Sequence, residues 1–240
     1  MLTAYLTQTK RLLQNPGAPT SLYSDVDLTS WINTARGQLA GDAECIRNYA
    51  SLALVANQRT YNFSSITLGS PSTGIQGVFK VNTVWYQVAS GQVWIRPRPW
   101  EWFSLYSLNN PVPGSGPPLR WSQFGQGVNG TIWIDPLPNI AYTVPLDTVC
   151  YPVNLVDDTT VEAIPFPWTD SVPYFAAYLA LLSAQAPARQ ADADKMLSRY
   201  DEFKNRARRY STPSVLPGLY AQVPNAVRSN QLGQSGQGAG

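Results

Sequence analysis

The sequence has no histidine and only two cysteines, Cys45 and Cys150, among its 240 residues. Without histidine, a Ser-His-Asp triad and a histidine general base are excluded, and so are zinc sites built from cysteine and histidine ligands. The two cysteines are far apart and belong to no Cys-x-x-Cys motif. One disulfide between them is possible, but two buried free thiols fit better with a protein that assembles in a cytoplasm.

Charge is also scarce, since only 13% of the residues are charged. This is about half of the roughly 25% that soluble proteins carry. Aromatic residues make up 12%, with 8 tryptophans and 13 tyrosines. The cores of protein interfaces lose charged residues and gain tyrosine and tryptophan. The composition therefore favours a protein with much of its surface covered by partners, and the alternative is a compact, β-rich protein with a large core.

No apolar run approaches the roughly 20 residues that cross a bilayer, so we expect no contact with a membrane. The first residues, 1–13, form an amphipathic pattern instead of the charged and then apolar segments of a signal peptide. The sequence also lacks the spaced ligands of a cation loop and the Lys-containing glycine loop that cradles phosphates. We expect no cofactor, no metal and no catalytic residue, and the protein is predicted not to be an enzyme.

The net charge of +2 hides an asymmetry along the chain. Residues 189–210 contain seven Lys or Arg against four acids, whereas residues 61–188 contain four against seven. The cations Arg206, Arg208 and Arg209 lie at the end of the basic segment. A basic helix fits an acidic partner or nucleic acid, and a solvated helix face is the alternative. No basic stripe is interleaved with aromatics, which disfavours sequence-specific reading of DNA.

Helical periodicity marks both ends of the chain. The apolar spacing predicts helices over 2–13, 24–39, 41–54, 169–186 and 188–209. Between them the period changes to two, and short strands are separated by Pro and Gly. The predicted strands are Phe79–Trp85, Val93–Arg96, Leu119–Trp121, Thr131–Ile134 and Tyr142–Val153. Short antiparallel strands at this spacing indicate a sandwich or a small barrel.

These patterns predict an α+β fold. An α-helical bundle domain is formed by the N-terminal and C-terminal helices, over residues 1–60 and 166–210. An antiparallel β-sandwich or barrel domain, residues 61–165, is inserted between them, and residues 211–240 form an extended C-terminal arm. Because the helices flank the strands, both ends of the chain are expected to return to one helical core.

The arm is rich in proline, and its apolar residues are Val215, Leu216, Leu219 and Tyr220. Such a segment cannot form a core of its own. It is nevertheless too apolar for a solvated linker. We expect it to lie extended on a partner.

The segment Arg96–Trp102 combines cations and prolines with Trp100 and Trp102. It could contact another subunit, stack on a sugar, or be a proline-stiffened loop that caps a sheet. A second segment contains Asp157, Asp158 and Glu162, and we expect these three acids to form a solvated turn.

The order of several short motifs is informative where each alone is weak. Trp31-Ile32-Asn33 follows a loop headed by Ser24, a strand ends at residues 131–138 (TIWIDPLP), and Ile164-Pro165 leads into an Ala- and Tyr-rich helix at 174–178. Over residues 1–210 this order resembles the head-to-tail adaptor family of tailed bacteriophages, with the layout of tail tubular protein A of short-tailed phages.

The resemblance implies a homo-oligomeric ring, of twelve copies, that joins the portal protein of the DNA-filled head to a downstream tail or nozzle protein. Double-stranded DNA would pass through the ring without being read. The protein would belong to the virion, at the head–tail junction, after assembly in the host cytoplasm. The residues predicted to contact partners are Arg206, Arg208, Arg209, Val215, Leu216, Leu219, Tyr220, Trp100 and Trp102.

Two other functions compete with this one. A carbohydrate-binding or receptor-binding β-module of a phage tail would rest on the tryptophans of the β-region, which are Trp94, Trp100, Trp102, Trp121 and Trp133. Tryptophans exposed on one sheet face would support it, whereas tryptophans divided between core and subunit contacts would support the adaptor. A nucleic-acid-binding module would rest on the arginines at 206–209 and would show steeply salt-dependent binding.

Overall fold

The described part of the protein combines four long helices with a curled, seven-stranded sheet, so the predicted α+β class is confirmed. A computed structural model describes the chain over residues 1–15, 22–88, 91–107, 114–184 and 189–211. The arm residues Val215, Leu216, Leu219 and Tyr220 therefore lie outside the described residues. The predicted division into domains and the sandwich or barrel form of the strands stay predictions.

The helices are α1 Leu2–Leu13, α2 Asp25–Ala43, the single turn α3 Trp100–Trp102, α4 Val172–Ser183 and α5 Gln190–Ser211. The start of α2 follows from its sequence, because the Ser24 hydroxyl accepts a hydrogen bond from the Asp27 N–H and Asp25 lies in the first turn. Pro173 lies in the first turn of α4, where its missing N–H is not needed. Four of the five predicted helices are thus confirmed, with ends shifted by a few residues.

The predicted helix over 41–54 is wrong. Helix α2 continues to Ala43, and Arg47–Leu54 is a strand, β1. Burial alternates along β1, with Ala50 and Leu52 turned inward and Tyr49 outward. The spacing of Ile46, Tyr49 and Leu52 also fits a helix, but antiparallel pairing of β1 along its whole length with a later strand outweighs that local pattern.

The remaining strands are β2 Thr60–Asn62, β3 Ile75–Val88, β4 Gly91–Pro97, β5 Ser115–Gly116, β6 Arg120–Phe124, β7 Thr131–Asp135, β8 Leu137–Pro138 and β9 Tyr142–Pro152. The main sheet has the order β1-β9-β3-β4-β6-β7-β2, and β5 pairs with β8 apart from it. The five predicted strands are present. Parallel pairing of β4 with β6, and of β5 with β8, departs from the purely antiparallel prediction. Strand β4 ends at Pro97, which has no N–H to donate to the ladder.

Strand β3 has different neighbours along its length. Residues from Ile75 to Val84 pair with β9, whereas β4 pairs only with Val84–Val88. Before Val84 in the sequence, β3 is no longer paired with β4. There the Val81 N–H of β3 donates a hydrogen bond to the side-chain oxygen of Gln123 on β6, at 3.0 Å. A cleft opens where β3 and β4 part.

One apolar core joins the helices to the sheet. It contains Ile32 and Leu39 of α2, Ala176 of α4 and Leu146 of β9, all fully buried. A smaller cluster lies among the helices, where Trp31 packs partly buried against residues of α4 and α5. The first helices therefore pack on the last ones, as expected. Within the described residues, no helix has the length and apolar character that crossing a bilayer requires.

A buried ion pair fixes the connection between sheet and helices. Arg36 of α2 is fully buried, and its guanidinium binds the Glu162 carboxylate with N···O distances of 2.8 and 2.9 Å. Arg36 also donates to the Val153 carbonyl at 2.7 Å, and the Tyr5 hydroxyl donates to Glu162 at 2.9 Å. Burial, together with the neighbouring Glu162 carboxylate, raises the pKa of Tyr5. The pair thus ties α1 and α2 to the loop that follows β9.

Candidate partner-binding surfaces

The basic end of α5 is exposed. Arg206, Arg208 and Arg209 lie on its last turns, while Ala207 between them is fully buried. Buried Tyr200 and Ala207 are seven residues apart, which defines the face of α5 that packs inward. Cations at this end also oppose the negative end of the helix dipole. The structure therefore presents the three predicted arginines on the outside of the helical layer.

The point at which the chain leaves α5 is fixed. The Ser211 hydroxyl donates to the Ala43 carbonyl, and the Arg47 guanidinium donates to the Ser211 carbonyl at 3.3 Å. Next to this junction the Tyr210 ring, which is 78% exposed, stacks on Trp168 with ring centres 6.0 Å apart. The arm therefore starts beside the first residues of β1.

Trp100 and Trp102 lie on the turn after β4 and are half-buried. The Trp100 ring contacts Trp133 of β7 with ring centres 5.0 Å apart and exposed Phe124 of β6 at 4.7 Å. Trp102 instead lies under the Arg120 guanidinium, 5.0 Å from the ring centre, which is a cation–π contact. The two predicted contact residues thus belong to one patch of aromatic and cationic side chains, on a different element from the α5 arginines.

The cleft between β3 and β6 is a site that the sequence pattern did not indicate. It has a volume of about 700 Å³. Its lining includes Lys80, Pro97, Arg98, Trp100, Trp121, Gln123 and Gln126. Lys80 at the rim forms an ion pair with Glu44 at 2.9 Å. Trp121 is buried, and its indole N–H has no acceptor among the described residues.

A ladder of aromatic rings crosses the sheet and was also missed. Tyr49, Trp85 and Trp94 contact one another in succession as tilted rings, with ring centres 5.4 and 5.2 Å apart. Tyr49 and Trp94 are exposed, at 63% and 56%. The helix predicted over 41–54 contains Tyr49 and does not bring it beside the two tryptophans. Only the pairing of β1 with β9 brings Tyr49 to the sheet, and no local pattern in the sequence shows that pairing.

The tryptophans do not form one exposed face. Trp121 and Trp85 are buried. The remaining tryptophans lie on α2, on β4, on the turn after β4, on β7 and just before α4. Trp94 alone is more than half exposed. Tryptophans divided between the core and separate surfaces favour the adaptor over a sugar-binding module.

The acidic segment after β9 has structural partners. Asp157 accepts hydrogen bonds from Thr159 and Thr160, which lower its pKa. Asp158 pairs with the N-terminal amine of Met1 at 2.7 Å, and this contact lowers the pKa of Asp158. The solvated-turn prediction is wrong for Glu162, which is buried because it neutralises an arginine of the core.

The described residues contain no group of three metal-ligating side chains. Both thiols are free and buried. Burial raises the pKa of Cys45 to about 12 and also raises that of Cys150, so both stay protonated at neutral pH.

Aromatic residues and arginine are enriched in the interfaces between proteins. The sequence matches the model of the family described as SU10 adaptor protein over residues 2–228. The chain therefore belongs to the SU10 adaptor protein family, which confirms the adaptor resemblance.

A solved structure similar to the chain is described as the neck of an empty GTA particle computed with C6 symmetry. The two sequences are 13% identical, and the match covers 73% of this chain and 76% of that chain. The TM-score is 0.25, and a likeness this distant carries no structural argument. No curated protein matches the chain.

Proposed function

We propose that the protein is the head-to-tail adaptor that joins the portal of a DNA-filled phage head to the tail. The observation that carries this proposal is the family match over nearly the whole chain. The exposed aromatic and cationic surfaces support it, because an adaptor needs contacts on several sides. The protein works as a structural part of the virion at the head–tail junction, without catalysis, and is assembled in the host cytoplasm.

In this proposal the copies form a closed ring, of twelve subunits, around the path of the DNA. Residues 1–60 and 166–210 form the ring-building helical bundle, and residues 61–165 form the inserted β-domain. A ring needs two different, complementary surfaces on each subunit. The aromatic ladder at Tyr49 and Trp94 supplies one candidate surface. Double-stranded DNA passes through the ring without being read.

The α5 end and the arm are the proposed contacts with the portal or with a neighbouring subunit. Arg206, Arg208 and Arg209 provide charge, and the arm residues Leu216, Leu219 and Tyr220 provide apolar anchors. Downstream, the patch at Trp100 and Trp102 is proposed to meet the tail or nozzle protein. These assignments place charge at one contact and aromatic area at another, which suits partners of different chemistry.

A complementation experiment tests the role. Filled heads and tails would be prepared from an infection that lacks the protein, and purified protein would be added. Restored joining of heads to tails, measured as infectious particles, is the expected result. Replacing Arg206, Arg208 and Arg209 together by Gln should lower the yield, with the paired substitution of exposed Lys195 and Arg199 by Gln as the control for charge. Heads that join tails equally well without the protein would rule out the proposal.

A further inference from the structure

We infer that the cleft beside Trp121 is a docking site for the chain's own arm, with residues 213–220 as the occupant in the free subunit. This inference goes beyond the adaptor role and does not depend on it. The arm would lie in the cleft before the protein meets a partner, and its apolar anchors would be kept from water until then.

The place where the described chain ends supports the assignment. Ser211 is held at Ala43 and Arg47, and the next residue after Ala43 is Glu44, which pairs with Lys80 on the rim of the cleft. Arg47 pairs with Val149 of β9, and Val149 pairs with Lys80 of β3. With strands about 4.8 Å apart, the backbones of Arg47 and Lys80 are about 10 Å apart.

The length of the arm is sufficient for this path. An extended chain spans about 3.3 Å per residue, so the five residues 212–216 cover about 16 Å. Leu216 and the residues after it can therefore reach the cleft of the same subunit. A short tether also gives an intramolecular contact an effective concentration of the order of millimolar. At protein concentrations below this value, docking of the arm within its own chain is favoured over docking on another chain.

The chemistry of the cleft matches that of the arm. Proline-rich segments in the polyproline II conformation dock in grooves lined by aromatic rings, and their backbone carbonyls are free to accept hydrogen bonds. The cleft supplies the Trp100 ring and the N–H donors of Lys80, Arg98 and Gln126, and no carboxylate is among its lining residues in the described part of the chain. Residues 212–224 contain three prolines and no charge.

The buried indole N–H of Trp121 provides a local reporter for the cleft. A buried donor without an acceptor lacks the hydrogen bond that water gives it in the unfolded chain. Trp121 lines the cleft, and its N–H has no partner among the described residues. An occupant of the cleft would lie against Trp121 and change the surroundings of its indole N–H.

The test uses the indole N–H signals in a ¹⁵N–¹H NMR spectrum of the full chain. The signals of Trp121, Trp100 and Trp31 would be assigned by the single changes Trp121→Phe, Trp100→Phe and Trp31→Phe. Full-length protein would be compared with a chain ending at Ser211, and with a full-length variant in which Leu216, Leu219 and Tyr220 are all Ser. We expect the Trp121 and Trp100 signals to shift equally in both variants while Trp31, in the helical layer, stays unchanged and reports an intact fold.

A spin label on the arm gives an independent readout that requires no truncation. With Ala221→Cys, the label reacts at that site because both native thiols are buried and protonated. Docking should broaden the signals of Trp121 and Trp100 until most of their intensity is lost, and should spare Trp31. If all three signals keep their intensity and the two arm variants leave Trp121 unshifted, the inference is wrong. If the effects disappear on dilution, the occupant is the arm of a second copy, and docking within one chain is also wrong.

Discussion

The long helices and the sheet both bury aromatic rings, but they differ in the rings that they expose. In the long helices, Tyr5 and Tyr200 are buried. Among the described residues of these helices, the exposed aromatic residue is Tyr210, at the end of α5. The sheet instead exposes Tyr49, Trp94 and Phe124 on its strands. The helices present arginines to the outside, whereas the sheet presents rings. Both regions contribute to one core, but the strands also carry exposed rings that are free for contacts.

The first test of this comparison removes the carboxylate that neutralises the buried Arg36 of α2. Glu162→Gln keeps the shape of the side chain but leaves the Arg36 guanidinium buried without a counter-charge. We expect the free energy of unfolding to fall by about 3–5 kcal/mol, because removing one partner of a buried ion pair leaves an uncompensated charge. Urea unfolding of the purified variants would measure the change.

The matched control is Glu202→Gln, which removes the partner of Arg199 in an exposed pair on α5. Exposed pairs contribute about 0–1 kcal/mol, so this variant should unfold close to the unchanged protein. Equal losses in the two variants would show that the pair at Glu162 does not have the structural role described for it.

The second test compares one tryptophan from each region. Trp31→Ala removes a ring of α2 that packs against α4 and α5. We expect the free energy of unfolding to fall by about 3 kcal/mol, at the lower end for tryptophan because the ring is only partly buried. Trp94→Ala on the sheet should lower stability by about 0.5 kcal/mol or less, as surface changes do. Unfolding curves that fall in the reverse order would contradict the division between the two regions.

The third test uses alkaline pH. Burial, and then the nearby Asp42 carboxylate, raises the pKa of Tyr200 above its usual value. The unfolded chain therefore loses the phenol proton first, so the stability that depends on the neutral ring is complete below about pH 10 and declines above it.

Tyr200→Phe removes this titration together with the hydrogen bond to Asp42, which is 3.3 Å long. We expect a loss of about 1 kcal/mol at pH 7 and a shallower decline of stability above pH 10 than in the unchanged protein. Exposed Tyr49, replaced by Phe, is the control for the loss of one phenol hydroxyl. An identical alkaline decline in all three proteins would contradict the assignment.

The sequence indicated the helices and most strands because their local signals agree with their final environment. Ser24 caps α2, Pro173 starts α4, and Pro97 ends β4. It failed for β1, where the spacing of Tyr49 and its neighbours fits a helix and only pairing with β9 selects the strand.

The sites were predicted less completely than the elements. The exposure of the α5 arginines and the aromatic character of the turn at Trp100 follow from neighbours in sequence. The cleft and the ladder arise from strands far apart in the chain, and the burial of Glu162 depends on Arg36, which is 126 positions away. Contacts over such distances leave no periodic pattern in one sequence.

The measurement that tests the central proposal most directly is electron microscopy of the purified protein in negative stain, alone and together with its portal and tail partners, with light scattering of the same samples. We expect closed rings, either of the protein alone or once the portal is present. Trp94→Ala should reduce ring formation while the subunit stays folded. A protein that remains monomeric when both partners are present would contradict the assignment as a head-to-tail adaptor.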